Sequence, residues 1–356
     1  MKIMFVNSSL ADGGSERAMA LIANQMAEIG YDVTMLLLRD KPHVYQLEPS
    51  VNLIQLTYSG SSKATILPER LRQIRLHAQE IKPDCIVSFM WDINVMTLAA
   101  TAGLGVRKVV SERAYPASGE RSLTSHLLER IFYRSADAIV YQTEGAREFC
   151  PKSLRSRSVV IPNVVAAPQV VPHKGERSRR VVSVGRLTSQ KNHLMLIEAF
   201  SRFSKVHPGY QLEVYGEGEL RGILKARARE LGIADALSLP GYVSNVAECI
   251  NDAAMFVLTS NYEGISNAMA EAMALGVPTI CTDCPSGGAA LMIRDGENGM
   301  LVPVGDVDAL ASAMCRLAND RMLAECMAGE ARKITQKFSS RAIGRKWEEV
   351  IRERGC

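Results

Sequence analysis

Long hydrophobic runs are missing from this chain. Nowhere in its 356 residues do about 18 apolar residues follow one another, which excludes a transmembrane helix. The opening MKIMFVNSSLADGG has one Lys and an apolar run too short for a signal-peptide core, so it reads as a first strand and the protein is expected in the cytoplasm. Excess charge is also missing: a net +4 sets up no field for nucleic acid. Metal-ligand spacing is absent. Cys281 and Cys284 form a lone Cys-x2-Cys with no second pair and no His in range, a poor basis for zinc and little better for a redox pair. The other cysteines lie in strand-like or helix-like settings such as Asp84-Cys85-Ile86-Val87, where buried reduced thiols are expected. The dinucleotide fingerprint Gly-x-Gly-x-x-Gly is missing too, and only Asp40 approaches the acidic residue that should end the second strand, which argues against a nicotinamide dehydrogenase.

What is present is a hydrophobic content of 47%, enough for full cores, on a length that suits two domains. Strand-like and helix-like segments alternate throughout. Lys2 to Asn7, the glycine turn Asp12-Gly13-Gly14-Ser15, a helix from Glu16 to Ile29 and a strand from Asp32 to Leu38 open a doubly wound α/β domain. At Gly13 and Gly14 two uses fit equally: a tight turn, or a backbone left bare for a phosphate or sugar. Strands follow near Val51–Leu56, Asp84–Phe89, Lys108–Glu112, Ala138–Gln142 and Val159–Pro162. From Lys152 to Arg180 basic residues and prolines collect, marking an interdomain linker near 165–178. The pattern then restarts. We place an N-terminal domain at 1–168, a second at 178–338, and a terminal helix within 340–356 packing back on the first.

Ala254 to Thr282 organises the second half. A strand ending at Leu258, a polar loop, a run of helix formers from Ala268 to Leu275, a stop at Gly276 and a strand Val277–Cys281 carry two carboxylates, Glu263 and Glu271. Eight helical residues span roughly 12 Å. That is the reach of a nucleoside diphosphate sugar, whose polyol ends suit carboxylate acceptors, while amides of the helix start near Ser266 and Asn267 suit its diphosphate. A solvated surface helix would show the same spacing. Upstream, Gly185-Arg186-Leu187 with Lys191-Asn192 puts two cations at a strand end beside a helix start. Two basic helices also stand out: Leu67–Ile81 with Arg72 and Arg75, and a later one with Arg121, Arg130 and Arg134 beside Leu123, Leu127, Leu128, Ile131 and Phe132. A solvated basic face and contact with anionic lipid or a lipid diphosphate both fit these.

Taken in order, Gly13-Gly14, Gly185-Arg186-Leu187 with Lys191-Asn192, Gly216-Glu217-Gly218, Gly241-Tyr242-Val243, Glu263-Gly264-Ile265-Ser266-Asn267 with Glu271-Ala272-Met273-Ala274, Gly276-Val277-Pro278 and Asp295-Gly296-Glu297-Asn298-Gly299 resemble the retaining glycosyltransferases of family 4. The likeness covers nearly the whole chain and is strongest from 180 to 305. It implies the GT-B fold, an α/β architecture of two facing Rossmann-like domains with a cleft between them. It further implies that Arg186 and Lys191 hold the donor diphosphate, Glu263 the transferred hexose, Glu271 the ribose, and the amides of Ile265, Ser266 and Asn267 the phosphate and sugar. Gly13, Gly14, Gly185, Gly216 and Gly264 would border the donor, and Tyr242 and Val243 the nucleobase. No metal and no other cofactor is implied.

Many members carry a His after the fifth strand, where this chain reads Val110-Ser111-Glu112-Arg113-Ala114-Tyr115-Pro116. The Ser-Glu-Arg form resembles the branch acting on polyprenyl-diphosphate-linked oligosaccharides. On that likeness Glu112 would orient the acceptor hydroxyl, with Arg113, Arg72 and Arg75 on the acceptor side. The expected activity is retaining transfer of a hexose or N-acetylhexosamine from a UDP-sugar to a lipid-linked saccharide, in bacterial surface-polymer or glycan assembly. The protein would lie peripherally on the anionic inner face of the plasma membrane. Alternatives are another GT-B activity on a soluble acceptor, or a non-catalytic sugar-nucleotide-binding protein.

Overall fold

A computed structural model describes residues 1–11, 13–57, 63–113 and 122–353, without the side chains of 63–65 and 123. Asp12, Arg121, the Leu123 side chain and the Ala114-Tyr115-Pro116 stretch therefore lie outside the described residues. The chain divides into two compact units, Met1–Val164 with Ser340–Cys356, and Val165–Ser339.

The first unit alternates strand and helix: β1 (Lys2–Asn7), α1 (Gly14–Glu28), β2 (Asp32–Leu37), β3 (Asn52–Gln55), α2 (Lys63–Ile81), β4 (Cys85–Phe89), α3 (Trp91–Ala100), β5 (Arg107–Ser111), α4 (Leu123–Phe132), β6 (Ala138–Tyr141), α5 (Glu144–Arg147) and β7 (Ser158–Val160). All seven strands pair in parallel in the order β3-β2-β1-β4-β5-β6-β7. Helices cover both faces of such a sheet, so its strands read as unbroken apolar runs, as Ile3–Val6 and Ile139–Val140 do.

The second unit repeats the plan with β8 (Ser178–Val184), α6 (His193–Val206), β9 (Gln211–Tyr215), α7 (Arg221–Glu230), β10 (Leu237–Gly241), α8 (Val246–Ile250), β11 (Ala253–Leu258), α9 (Asn267–Leu275), β12 (Thr279–Asp283), α10 (Gly288–Met292), β13 (Met300–Pro303), α11 (Val307–Asn319), α12 (Arg321–Ala331) and α13 (Ile334–Lys337). Its six strands run parallel in the order β10-β9-β8-β11-β12-β13. In both sheets the order reverses beside the first strand, the place where an open α/β sheet parts its loops around a ligand. The core joins Val181, Val214, Met255, Val257 and Ile280 of the strands to Leu196, Phe200, Phe203, Leu310 and Met314 of α6 and α11.

Several boundaries move from the sequence-based expectation for local reasons. β12 begins at Thr279, because Pro278 cannot donate to a ladder, though its carbonyl accepts from Phe256 at 2.8 Å. The single helix expected from Met322 to Phe338 is two, α12 and α13. The stretch expected as linker after residue 164 clusters with the second unit: Val165 N–H donates to the Phe338 carbonyl at 2.8 Å, and the Arg177 guanidinium to the carbonyls of Asn251, Ala253 and Gly276 at 2.9, 3.1 and 2.6 Å.

Beyond α13 the chain rejoins the first unit as α14 (Ser340–Arg352), which lies along α1 and buries Ile343, Trp347, Val350 and Ile351. Trp347 meets Phe89 with ring centroids 5.4 Å apart, Tyr31 donates to Glu348 at 2.7 Å, and Arg107 to the Val350 carbonyl at 3.0 Å. Among the described residues no helix is long and apolar enough to cross a membrane.

Candidate active site

The loops leaving β8 and β11, neighbours at the reversal of the second sheet, are tied to each other by polar contacts. After β8, Lys191 reaches across to Glu263 in the β11 loop and forms an ion pair, and the Ser260 hydroxyl donates to the same carboxylate oxygen at 3.2 Å. Both partners are largely buried side chains, so water screens the pair poorly. The backbones are laced together as well. Asn261 N–H donates to the Gln190 carbonyl at 2.8 Å, Gln190 donates to the Tyr262 carbonyl at 3.1 Å, and the Thr259 hydroxyl lies 3.0 Å from the carbonyls of Lys191 and Asn192. Asn192, in the left-handed region at φ 46°, caps α6 and donates to Asn261 at 2.9 Å. Arg186 is exposed and touches only Gln190, at 3.2 Å, among the contacts described.

A third loop holds the Glu263 backbone. Ser286, after β12, is fully buried; its hydroxyl accepts the Glu263 N–H at 3.1 Å and donates to the Glu263 carbonyl. Gly288 approaches so closely that a Cβ there would overlap the Gly264 carbonyl. Thr282 donates to the Ser260 carbonyl at 2.6 Å. Cys284 and Cys281 line the underside as buried thiols, both raised above the usual thiol range by loss of water, so they stay protonated and unreactive.

Glu263 leads into α9. Ser266 caps this helix by accepting the Met269 N–H at 3.4 Å, and Gly276 ends it in the left-handed region at φ 68°. Alanine and methionine suit a helix buried on most sides: Met269, Ala272, Met273 and Leu275 are all inside. The first amides, at Asn267 and Ala268, have no partner within the helix and point along its axis. Glu271 stands half-buried one turn in. The β9 and β10 loops abut the same strand ends: Gly216 N–H donates to the Gly241 carbonyl at 2.8 Å, a Cβ on Gly216 would strike the Gly185 carbonyl, and Tyr242 projects into solvent beside Val243. The second unit thus brings Gly185, Arg186, Lys191, Gly216, Tyr242, Val243, Glu263–Asn267 and Glu271 to one end of one sheet.

Three residues of this cluster escaped the sequence reading. His193, the first residue of α6, is 1% exposed and lies against the backbone of Gly185 and Arg186. Burial and the Lys191 charge depress its pKa to about 4, with the Gly185 and Arg186 backbone opposing them. Ser260 and Ser286 escaped as well. Ser286 lies 23 residues from Glu263, and only the folded chain brings its hydroxyl to the Glu263 backbone.

The first unit employs its expected residues differently. Glu112 is 2% exposed, accepts from the Tyr133 hydroxyl and lies 3.4 Å from Asn94 Nδ2, so its carboxylate is part of a buried network. Asn94 also donates to Tyr133 at 2.9 Å and accepts from Ser88 at 2.8 Å, and the Tyr133 hydroxyl is held far from ionisation by burial and by Glu112. Arg75 caps α3, donating to the carbonyls of Ala100 and Ala102 at 2.9 Å, and Arg72 pairs with Glu69 on its own helix at 2.9 Å. Arg113 stacks over Phe89 at 4.0 Å and donates to Asn163 at 2.7 Å, leaving Nε and Nη2 without a partner among the described residues. Burial draws its pKa down to about 9, still a cation at neutral pH. At α1, Gly13 is the N-cap; a Cβ there would overlap the Glu16 carboxylate, which also accepts from Ser15 at 2.6 Å.

Comparison with known proteins agrees with this architecture. Residues 13–164 match the glycosyl transferase 4-like domain and residues 169–334 the glycosyl transferases group 1. A Campylobacter jejuni N-acetyl-D-galactosaminyltransferase, named for a diNAcBac-PP-undecaprenol-linked GalNAc acceptor, is 24% identical over 99% of both chains. The lipopolysaccharide core glycosyltransferase LpsE of Rhizobium meliloti is 26% identical over 93% of this chain and 94% of its own. Among solved structures, the sucrose-phosphate synthase of Thermosynechococcus elongatus superposes with a TM-score of 0.82 at 20% identity, covering 99% of this chain and 98% of that one. An Anabaena protein solved with UDP-glucose gives 0.80 at 17%, covering 98% and 99%. With two Rossmann-like parallel sheets, the first unit matching the glycosyl transferase 4-like domain and the second the glycosyl transferases group 1, the chain is a glycosyltransferase of the GT-B fold.

Proposed function

We propose that the protein transfers a hexose or N-acetylhexosamine from a UDP-sugar, with retention, to a polyprenyl-diphosphate-linked saccharide in bacterial surface-polysaccharide assembly. The observation that carries this reading is the Lys191–Glu263 ion pair, set beside the start of α9 with Glu271 one turn further on. Without donor the two charges neutralise each other. A diphosphate arriving at the α9 amides draws Lys191 to itself, with Arg186, and frees the Glu263 carboxylate to accept hydroxyls of the sugar. The two cations then stabilise the charge that collects on UDP as the glycosidic C–O bond breaks. They supply the positive charge a divalent ion would otherwise bring, so we assign the reaction no metal. Glu271 takes the ribose, and Tyr242 and Val243 border the base. Names of relatives support the acceptor class: the Campylobacter enzyme for a lipid-diphosphate acceptor, and LpsE for the lipopolysaccharide core. On the acceptor side Arg113, with two N–H groups unpartnered among the described residues, is the better candidate for a phosphate than Arg75.

The test is UDP release from UDP-hexoses and UDP-N-acetylhexosamines, with and without a polyprenyl-diphosphate saccharide. Glu263→Gln should cost about 10²–10³ in kcat while UDP binds within a few-fold of wild type. Chelator should leave the rate unchanged. Normal turnover in the variant sinks the sugar-contact role. Tight UDP binding with no turnover on any acceptor makes the protein a binding module, and rapid transfer to a soluble saccharide moves the acceptor off the lipid.

A further inference from the structure

Helix α4 is turned inside out. Its large apolar residues face water, Leu127 at 59%, Leu128 at 41% and Ile131 at 51% exposure, while Ser125 and Glu129 are buried. At 100° per residue Leu127, Ile131 and Leu128 fall within one arc of about 100°, and Ser125, Glu129 and Phe132 lie opposite. Buried chemistry imposes this setting. Tyr133, next after α4, is fully buried and bonded to Glu112 and Asn94, Glu129 lies close enough to help keep the Tyr133 phenol protonated, and Ser122 caps the helix at 3.2 Å. Rotating α4 to hide its leucines would break that network, so the apolar face is fixed outward.

Among the described residues from Ser122 to Ser135 the exposed ionic ones, Arg130 and Arg134, share one sign and both lie on the Leu127 side of the apolar arc; the exposed Arg157 donates to the Arg134 carbonyl at 3.0 Å. The acid of this helix, Glu129, is buried. We infer that the outer face of α4 docks on an anionic lipid bilayer. The leucines and isoleucine enter the acyl boundary while the arginines, on long apolar stems, meet the headgroups. A second copy fits the face badly, because two-fold pairing would set Arg130 and Arg134 against their own images. The inference deepens the proposed function, since a lipid-borne acceptor is reached from such a surface, but docking is measured without any sugar.

The experiment is cosedimentation of the intact protein with phosphatidylglycerol-containing vesicles against pure phosphatidylcholine vesicles. Wild type should pellet with the anionic vesicles and be released by salt. Leu127→Glu with Ile131→Glu should weaken binding by at least ~10-fold. Arg130→Ala with Arg134→Ala should weaken it less and flatten its salt dependence. All are surface changes, and melting temperature and UDP binding should hold, which separates lost docking from lost folding. Wild type that ignores anionic vesicles, or that binds neutral ones equally, overturns the inference. So does undiminished binding by the Leu127/Ile131 variant, or an α4-dependent dimer without vesicle binding. Transfer to a detergent-dispersed lipid acceptor is scored separately: its failure with docking intact removes the proposed acceptor and leaves the surface standing.

Discussion

His193 meets two forces opposed to its protonation, the loss of water and the charge of Lys191, and the folded protein holds it neutral with a pKa near 4. In the unfolded chain the ring titrates at its ordinary value near 6.5, so the unfolded state binds a proton first. The stability contributed is therefore complete above about pH 6.5 and is lost as pH falls toward 4, a swing of ~3 kcal/mol for this group alone. Thermal unfolding of wild type and His193→Gln at neutral and acidic pH isolates the effect. Wild type should lose several degrees more than the variant on acidification, and parallel losses would mean that other groups set the acid limit. The charged residues of this site were legible in the sequence because their chemistry shows locally: Arg186, Lys191, Glu263 and Glu271 each stand beside a glycine turn or a helix start. His193, Ser260 and Ser286 were not. A buried histidine and a serine bonded to a distant backbone look like any other until the loops are folded together.

At the scale of elements, the loop after β11 is shaped by the loop after β12. Ser286 clamps the Glu263 amide and carbonyl, and Gly288 lets the start of α10 touch the Gly264 carbonyl. That contact is to backbone, so no side-chain rotation relieves it. Gly288→Ala should displace Gly264 and with it the Glu263 carboxylate, destabilising the second unit by about 1–3 kcal/mol and lowering kcat far more than it raises KM for the acceptor. Gly222→Ala, with open space around its Cβ, is the matched control. Equal activity in the two variants would show that the β12 loop does not hold Glu263. The strands were readable from unbroken apolar runs at regular spacing. The setting of α4 was not, because its apolar residues mark a helical face without saying which way that face turns. The answer lay in Tyr133, Asn94 and Glu112, joined only across three elements.

The whole molecule is two doubly wound units threaded so that the first is completed last. The sequence already separated them, since the glycine turns restart after residue 180, yet composition put the seam in a basic, proline-rich stretch whose Arg177 is tied into the second sheet. The final helix closes the first unit from far along the chain: Tyr31 and its partner Glu348 are 317 residues apart. α14 buries Ile343, Trp347, Val350 and Ile351, each worth roughly 1.5–3 kcal/mol, a sum comparable to the ~5–15 kcal/mol net stability of a whole domain. Trp347 also covers Phe89 and lies 5.6 Å from the Arg113 guanidinium, so its loss would open the ends of β4 and β5 to water. A chain ending at Ser339 should therefore lose the cooperative unfolding of the first unit, while the second, with its own core from Val165 to Ser339, still melts as a unit and retains UDP. Calorimetry with and without UDP reads both halves. A truncated protein with the full-length unfolding profile would show that the first unit stands without α14. Loss of both transitions would show that the second depends on the first.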